Sequence, residues 1–352
     1  MNSKKRVLNI LNRKPVDRIP IDIWHTAEVY QDLAKYFNAE DDFDLYKKMG
    51  IDKWFWINPV YEGEIAPLVE NAAMVTQWGV QMRMVKSGLS MYGERMSCPF
   101  EDCALENIDD YPYWPDPEKF NYSAAAQITE KVTNNFATLG PWVSFYEIYC
   151  SMRGLENSMM DLALKPKFVN AALDKIENAQ TEMMKKLFEV TGDSIDAVFI
   201  SDDMGSQISL LMSPDMWDKF FKPRMKRWCD FIHSYGKKVF YHSDGAVEPL
   251  IPRLIEVGID ILNPIQHICP GMDMAELKEK YGKNLIFHGA VDTQDVLPFR
   301  GPEEVKKETL DCLQSLGKNM EGYVCCSCHN IQAGTSVENI LAMVETVKNY
   351  SE

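Results

Sequence analysis

Eight short apolar runs punctuate the chain, at 19–23, 54–58, 142–146, 197–201, 238–242, 260–264, 285–289 and 322–326, and amphipathic stretches long enough for a helix lie between most of them. Strand-length runs alternating with helix-length segments are the pattern of parallel βα units. Several runs, such as Ala-Val-Phe-Ile-Ser at 197–201, carry apolar residues at successive positions, as strands buried on both faces do. Eight such runs fit a closed TIM-type (β/α)8 barrel better than an open doubly wound sheet, and no Gly-x-Gly-x-x-Gly follows a strand. The spacing therefore predicts one α/β barrel domain over 1–352, a length that such barrels reach with insertions.

The regular alternation fails between about 74 and 122. There 74–78, 80–85 and 89–96 alternate like a β-meander, and Trp-Pro-Asp-Pro at 114–117 breaks the chain. This stretch is expected to be a β-rich insertion after the second strand, serving as a lid or as a subunit contact in a homodimer. Later helices are well marked: 214–235 has Ser213 to cap its start and Gly236 to stop it.

Acidic residues outnumber basic ones 52 to 37, a formal charge of −15 that repels a phosphate backbone, so nucleic acid is not an expected partner. No apolar stretch is long enough to span a bilayer, and the basic start, Met-Asn-Ser-Lys-Lys-Arg, leads into an amphipathic segment rather than a signal-peptide core. A cytoplasmic protein with no membrane partner is expected. Nine cysteines in a chain of this size point to reduced thiols rather than a disulfide framework.

In such a barrel, chemistry is carried at the C-terminal ends of the strands. Five of the six histidines fall there: His25, His242, His267, His288 and His329; the sixth, His233, sits near a helix C-terminus, where imidazolium favours the dipole. His242-Ser-Asp244 places an imidazole and a carboxylate two residues apart on a turn leaving a strand, a spacing that suits a metal pair. A further ligand for zinc can come from Cys325-Cys326-Ser327-Cys328-His329 after the last strand. Asp202 and Asp203 end another strand, where one can cap a helix while the other binds substrate or moves a proton. His288 is a further catalytic candidate. Asn58, Gln266 and Asp292 stand at other turns and can line a pocket. Trp24, Tyr30, Trp56, Tyr61, Phe145, Tyr146 and Tyr149 gather at the early strand ends, enough for an aromatic wall facing a planar or apolar substrate, with His25 beside it.

The chain resembles the uroporphyrinogen decarboxylase superfamily, and within it the corrinoid-linked methyltransferase branch. The resemblance is carried in order by Gly-Leu-Glu-Asn-Ser-Met-Met-Asp-Leu at 154–162, Tyr-His-Ser-Asp-Gly at 241–245, Gly-Ile-Asp-Ile-Leu-Asn-Pro-Ile-Gln at 258–266, His-Gly-Ala-Val-Asp-Thr-Gln at 288–294 and Cys-His-Asn-Ile-Gln at 328–332 before Val-Glu-Asn-Ile at 337–340. The decarboxylase proper carries an N-terminal arginine-rich motif that grips porphyrinogen carboxylates. This chain has Trp24-His-Thr-Ala-Glu-Val-Tyr at that place, which disfavours porphyrinogen decarboxylation.

The methyltransferases it resembles bind zinc through a His-x-Cys pair and a later Cys. Here His242 matches, Asp244 stands in place of the first Cys and His329 aligns with the last, with Cys326 and Cys328 as alternatives. A His/Asp/His set is harder than a thiolate-rich one and suits polarising an oxygen rather than activating a thiol. The resemblance thus implies a methyltransferase that exchanges a methyl group between a small, methoxylated and aromatic donor and the cobalt of a separate corrinoid protein. The rival readings are a metal-free decarboxylase of a small acid and a non-enzymatic corrinoid-protein binding module.

Overall fold

The computed structural model describes residues 1–351. Seven of the eight runs contribute strands to a single parallel sheet, in chain order: β1 (Trp54–Trp56), β2 (Ala137–Val143), β3 (Ala197–Ser201), β4 (Lys238–His242), β5 (Ile261–Asn263), β6 (Ile286–Val291) and β7 (Tyr323–Ser327).

The eighth run, 19–23, does not form a strand. It meets β7 through a single bridge between Ile21 and Cys325, with Asp22 N and Cys325 O 2.9 Å apart and Cys325 N and Pro20 O 2.9 Å apart. On its other side the Ile21 carbonyl accepts from Asp52 N at 2.6 Å. Pro20 has no N–H to give, which keeps the ladder short. The side chain of Asp52 fixes the segment as well: it is fully buried, accepts from Ile21 N at 3.0 Å, and lies 2.6 Å from Arg6 Nη1 and 2.7 Å from Arg18 Nη1.

The run expected at 142–146 is displaced. The strand is Ala137–Val143, and Tyr146 opens the helix Tyr146–Arg153. Gly140 and Pro141 read as a turn in sequence, but they lie inside the strand, where its register against β3 shifts between Leu139 and Trp142. The long helix expected over 214–235 is two, Pro214–Phe220 and Lys222–Ser234, because Pro223 cannot continue the hydrogen-bond ladder. Ser213 caps the first, its hydroxyl accepting from Met216 N at 3.2 Å.

Alternation along the strands divides the core into two layers. Trp54, Ala137, Leu139, Ala197, Phe199, Phe240, Ile261, Ile286, Val324 and Cys326 point inward and pack with Trp24. Their neighbours, among them Val198, Ile200, Val239, Tyr241, Leu262, Phe287 and Cys325, point outward against the helices. Burial on both faces is what produced the unbroken apolar runs. Helix Ser3–Leu11 covers the inner layer at the N-terminal ends of the strands, through Val7, Ile10 and Leu11 and through Lys4, 3.2 Å from Asp196 just before β3.

Between β1 and β2 the chain forms a three-stranded antiparallel sheet of Met74–Val75, Gln81–Ser87 and Ser90–Ser97. Its last strand reaches the opposite end of the molecule from helix Ser3–Leu11: the Tyr92 hydroxyl donates to Gln332, beyond β7, and Met91 N lies 3.4 Å from Glu28 Oε1. Among the described residues no helix is long and apolar enough to cross a membrane.

Candidate active site

The two-residue period of a strand decides which side chains reach the interior at its C-terminal end. On β3 the inward series Ala197, Phe199 continues to Ser201 and Asp203; on β4, Phe240 continues to His242 and Asp244. His288 and Asn263 are inward on β6 and β5, as Cys326 is on β7. His242, Asp244 and His329 come together here: one ligand atom from each lies within 4.8 Å of the others. His329 Nε2 and Asp244 Oδ2 are 3.9 Å apart, as are His242 Nε2 and Asp203 Oδ1. Burial pushes the Asp244 carboxyl up and the His329 imidazole down from their ordinary values.

The donor set fits zinc. Two ligands on one tetrahedral zinc stand roughly 3.3 Å apart, from bond lengths near 2 Å, so the 3.9 Å separation needs only a small adjustment. His242 Nδ1 is already committed, 2.6 Å from Asn263 Oδ1, which leaves Nε2 to face the cluster. A second trio, Asp22, His288 and Cys326, is as close but wholly buried, and the Lys53 ammonium already stands 3.3 Å from Asp22. A dication there would meet that resident positive charge, so the first trio is the better metal site.

Asp244 is held by two loops that nearly touch. Asp203 Oδ1 accepts from Asp244 N at 2.8 Å, Gln266 Oε1 accepts from Gly245 N at 2.8 Å, and Ala246 N donates to Ser206 O at 2.8 Å. Gly245 has φ +87°, and a Cβ on it would lie 2.4 Å from Ser206 O; one on Gly205 would lie 2.4 Å from Asp244 O. Gly245→Ala is expected to cost about 1–3 kcal/mol by strain and contact and to push Asp244 out of the cluster. Urea unfolding checks the first effect and a metal titration the second; an unchanged urea midpoint would mean that the two loops separate freely.

Beside the trio lies a cavity of about 410 Å³, walled by Trp24, Trp56, Trp142, Phe199, Tyr46 and Lys53, with His25, Ser201, His242, His329 and Asn330 completing it. Trp24 and Trp56 ring centroids are 6.1 Å apart, and Trp56 meets Phe199 edge-on at 4.8 Å. His25 Nε2 lies 2.8 Å from the Tyr46 hydroxyl; burial and the nearby Lys53 push its pKa down to about 4, so it is neutral.

Other expected site residues are placed differently. Asp202 follows the outward series Val198, Ile200, so it faces the helices. Fully buried, it accepts from Ser144 Oγ at 2.7 Å and from the backbone N–H groups of Phe145, Tyr146 and Glu147 at 3.0, 2.6 and 3.2 Å, capping the helix Tyr146–Arg153. Burial pushes its carboxyl up to about 7, against those four bonds. Asp292 is likewise a cap, accepting from Gln294, Asp295 and Val296 N–H groups. Asn58 accepts from Trp142 N at 2.7 Å, and Tyr146 is buried against Phe221. Phe145 stacks on Trp228, while Tyr61 packs on Phe120. His288 is fully buried beneath His242, while His267 is turned outward to Glu308 at 2.7 Å. Cys326 and Cys328 are buried, and burial raises both thiols well above their ordinary range.

Glu147 was not foreseen. It lies in the first turn of the helix that Asp202 caps, and its Oε2 accepts from Ser201 Oγ at 2.9 Å, beside the cavity and within electrostatic reach of His242 and Asp203. The residue is exposed, but surrounding protein and the nearby Asp203 raise its carboxyl above the ordinary range. The signal was there, an acidic residue just past a strand, but the strand itself was expected three residues too late.

The uroporphyrinogen decarboxylase (URO-D) family model matches residues 69–350. The chain belongs to the uroporphyrinogen decarboxylase family. Uroporphyrinogen decarboxylases from three strains of Coxiella burnetii are 23% identical to it over 161 residues, 44% of this chain and 44% of theirs, so the alignment spans less than half the length of these curated relatives. A methyltransferase from Methanosarcina mazei shares the fold from end to end, with a TM-score of 0.67, 20% identity and coverage of 99% of this chain and 98% of that one. Among the described residues of this member of the uroporphyrinogen decarboxylase family no arginine lines the cavity, and the lysine in its wall, Lys53, is paired with Asp22.

Proposed function

We propose that this member of the family is a corrinoid-dependent methyltransferase. It takes a methyl group from a small methoxylated aromatic donor and passes it to the cobalt of a separate corrinoid protein. The observation that carries this reading is the His242/Asp244/His329 trio opening on a cavity walled by tryptophan and phenylalanine and lacking arginine. The end-to-end likeness in fold to a methyltransferase agrees with it. In this reading the sheet and segment 19–23 together make one (β/α)8 barrel over 1–352, and 74–122 is an insertion within it.

His242, Asp244 and His329 would hold zinc, which would supply Lewis acidity toward the donor's ether oxygen. The chain's own residues do the rest. Trp24, Trp56, Trp142 and Phe199 hold a planar ring and exclude water from the reacting methyl group. Asp203 keeps the Asp244 turn in place. Glu147 gives a proton to the oxygen as the methyl group leaves, and the product departs as a neutral phenol.

A carboxyl whose pKa is raised keeps its proton to higher pH than an ordinary one. As an acid Glu147 is therefore active below its raised value and fails as pH rises through it. Glu147→Gln is expected to lower the rate about 10²-fold and to remove that alkaline limb from the pH profile. The profile persisting in the variant would assign the limb to another group.

The proposal is tested by incubating the purified protein, a corrinoid acceptor and a panel of methoxylated aromatic donors, and looking for demethylated product with and without a zinc chelator. Product from none of them counts against the reading. Release of carbon dioxide from a small acid, unaffected by chelator, would favour the metal-free decarboxylase in its place.

A further inference from the structure

Behind His242 runs a fully buried line of polar groups whose direction can be read from its two ends. At the far end Asp22, 0% exposed, has Lys53 Nζ 3.3 Å from Oδ1 and accepts from Ile23 N at 2.8 Å and Trp24 Nε1 at 2.9 Å. Burial opposes its charge, but Lys53 and His288 outweigh burial and hold the carboxyl below its ordinary range. His288 Nε2 lies 3.4 Å from Asp22 Oδ2 and has no hydrogen-bond partner among the described residues. An anion there calls for a proton on that nitrogen. His288 Nδ1 faces Asn263 Nδ2 at 2.9 Å and accepts from it if the NH2 end of the amide lies there; burial, which lowers the ring's pKa, favours that neutral form.

The amide's orientation has an independent fix. Asn263 Nδ2 also lies 3.3 Å from the His288 carbonyl oxygen, which can only accept. The NH2 end of Asn263 therefore faces His288 and its Oδ1 faces His242, 2.6 Å from Nδ1. A carbonyl oxygen can only accept, so His242 must donate from Nδ1, and the lone pair of the neutral ring is left on Nε2, toward the mouth.

We infer that Asp22, His288 and Asn263 are positioning residues that hold His242 in the Nδ1–H tautomer, presenting its Nε2 lone pair to the His242/Asp244/His329 cluster. Free neutral imidazole favours the opposite tautomer, so the protein spends two buried side chains and a buried ion pair to invert it. The parallel is to metal sites in which a ligating histidine is oriented by the partner of its other nitrogen. The inference about the tautomer stands whether or not the chain moves methyl groups; its use in metal binding rests on the reading above.

The test is the ¹⁵N spectrum of the histidine rings in the metal-free, full-length protein, above the pH at which these imidazoles protonate. His242 is expected with a protonated Nδ1 and a bare Nε2, and His288 with the reverse. Asn263→Asp keeps an acceptor for His242 and is expected to leave its tautomer unchanged while altering that of His288. Asn263→Leu is expected to return His242 toward the Nε2–H form and to weaken zinc binding, read by chelator competition, on the order of 10–100-fold. A wild-type His242 protonated on Nε2, or a His242 signal that Asn263→Leu does not move, overturns the assignment. The tautomers as stated together with no zinc binding would uphold the relay and remove the metal reading alone.

Discussion

His242→Ala is expected to abolish metal binding and to lower methyl transfer by about 10³-fold or more. A Lewis acid at a breaking carbon–oxygen bond contributes several kcal/mol of transition-state stabilisation, and each 1.36 kcal/mol is about a factor of ten. His242 supplies one of three ligand atoms in the cluster, and it is the only one of the three held from behind by a buried amide. The fold itself should survive, because the ring lies at the open end of β4 and the packed layers of Phe199 and Phe240 lie beneath it. Metal content by emission spectroscopy and the transfer rate should fall together, with the urea midpoint little changed. Loss of the rate with full metal occupancy would point to His242 acting on substrate directly.

Asp202→Ala is expected to do the reverse, costing about 2–4 kcal/mol of stability while the folded fraction keeps its metal. One carboxylate accepts from Ser144 Oγ and from three N–H groups at the start of helix Tyr146–Arg153, and all but the Glu147 bond are buried. Alanine leaves the Ser144 hydroxyl and the Phe145 and Tyr146 N–H groups without that acceptor, while Glu147 N keeps Ser144 Oγ at 3.1 Å; unpaired buried donors cost more than an exposed cap does. Asp202→Asn keeps one acceptor oxygen and should recover part of the loss. Urea denaturation of the three proteins measures the series. A variant as stable as the wild type but inactive would return Asp202 to the chemistry.

The contrast between Asp202 and its neighbour shows how far the sequence could be read. That two carboxylates end β3 was plain. Which one faces inward is open in the sequence alone and is decided in the structure by strand parity: Asp203 continues Phe199 and Ser201, and Asp202 continues Val198 and Ile200. The same count separates Cys326, inward, from Cys325, outward.

Six strands fell within two residues of their apolar runs because burial on both faces writes a continuous signal. The others failed for local reasons: Pro20 reduces segment 19–23 to one bridge, and Gly140-Pro141 hid the middle of β2. That second error displaced Tyr146 from the expected wall and concealed Glu147.

His242, Asp244 and His329 were legible from spacing and resemblance together. The groups behind them, Asn263, Asp22 and Lys53, were not. Asn263 fell inside the run 260–264 and Lys53 before the run 54–58 with nothing in the spacing to single them out, and only the closing of segment 19–23 against Asp52 and β7 brings Asp22 to His288.

The central claim is that the cavity beside the trio delivers a methyl group to cobalt. It is tested most directly by mixing the zinc-loaded protein with a reduced corrinoid and a methoxylated aromatic donor and following the visible spectrum. The account predicts conversion of the Co(I) spectrum to that of methyl-Co(III), lost in His242→Ala. A Co(I) spectrum that persists with every methoxylated donor, in protein shown to hold its metal, would contradict it.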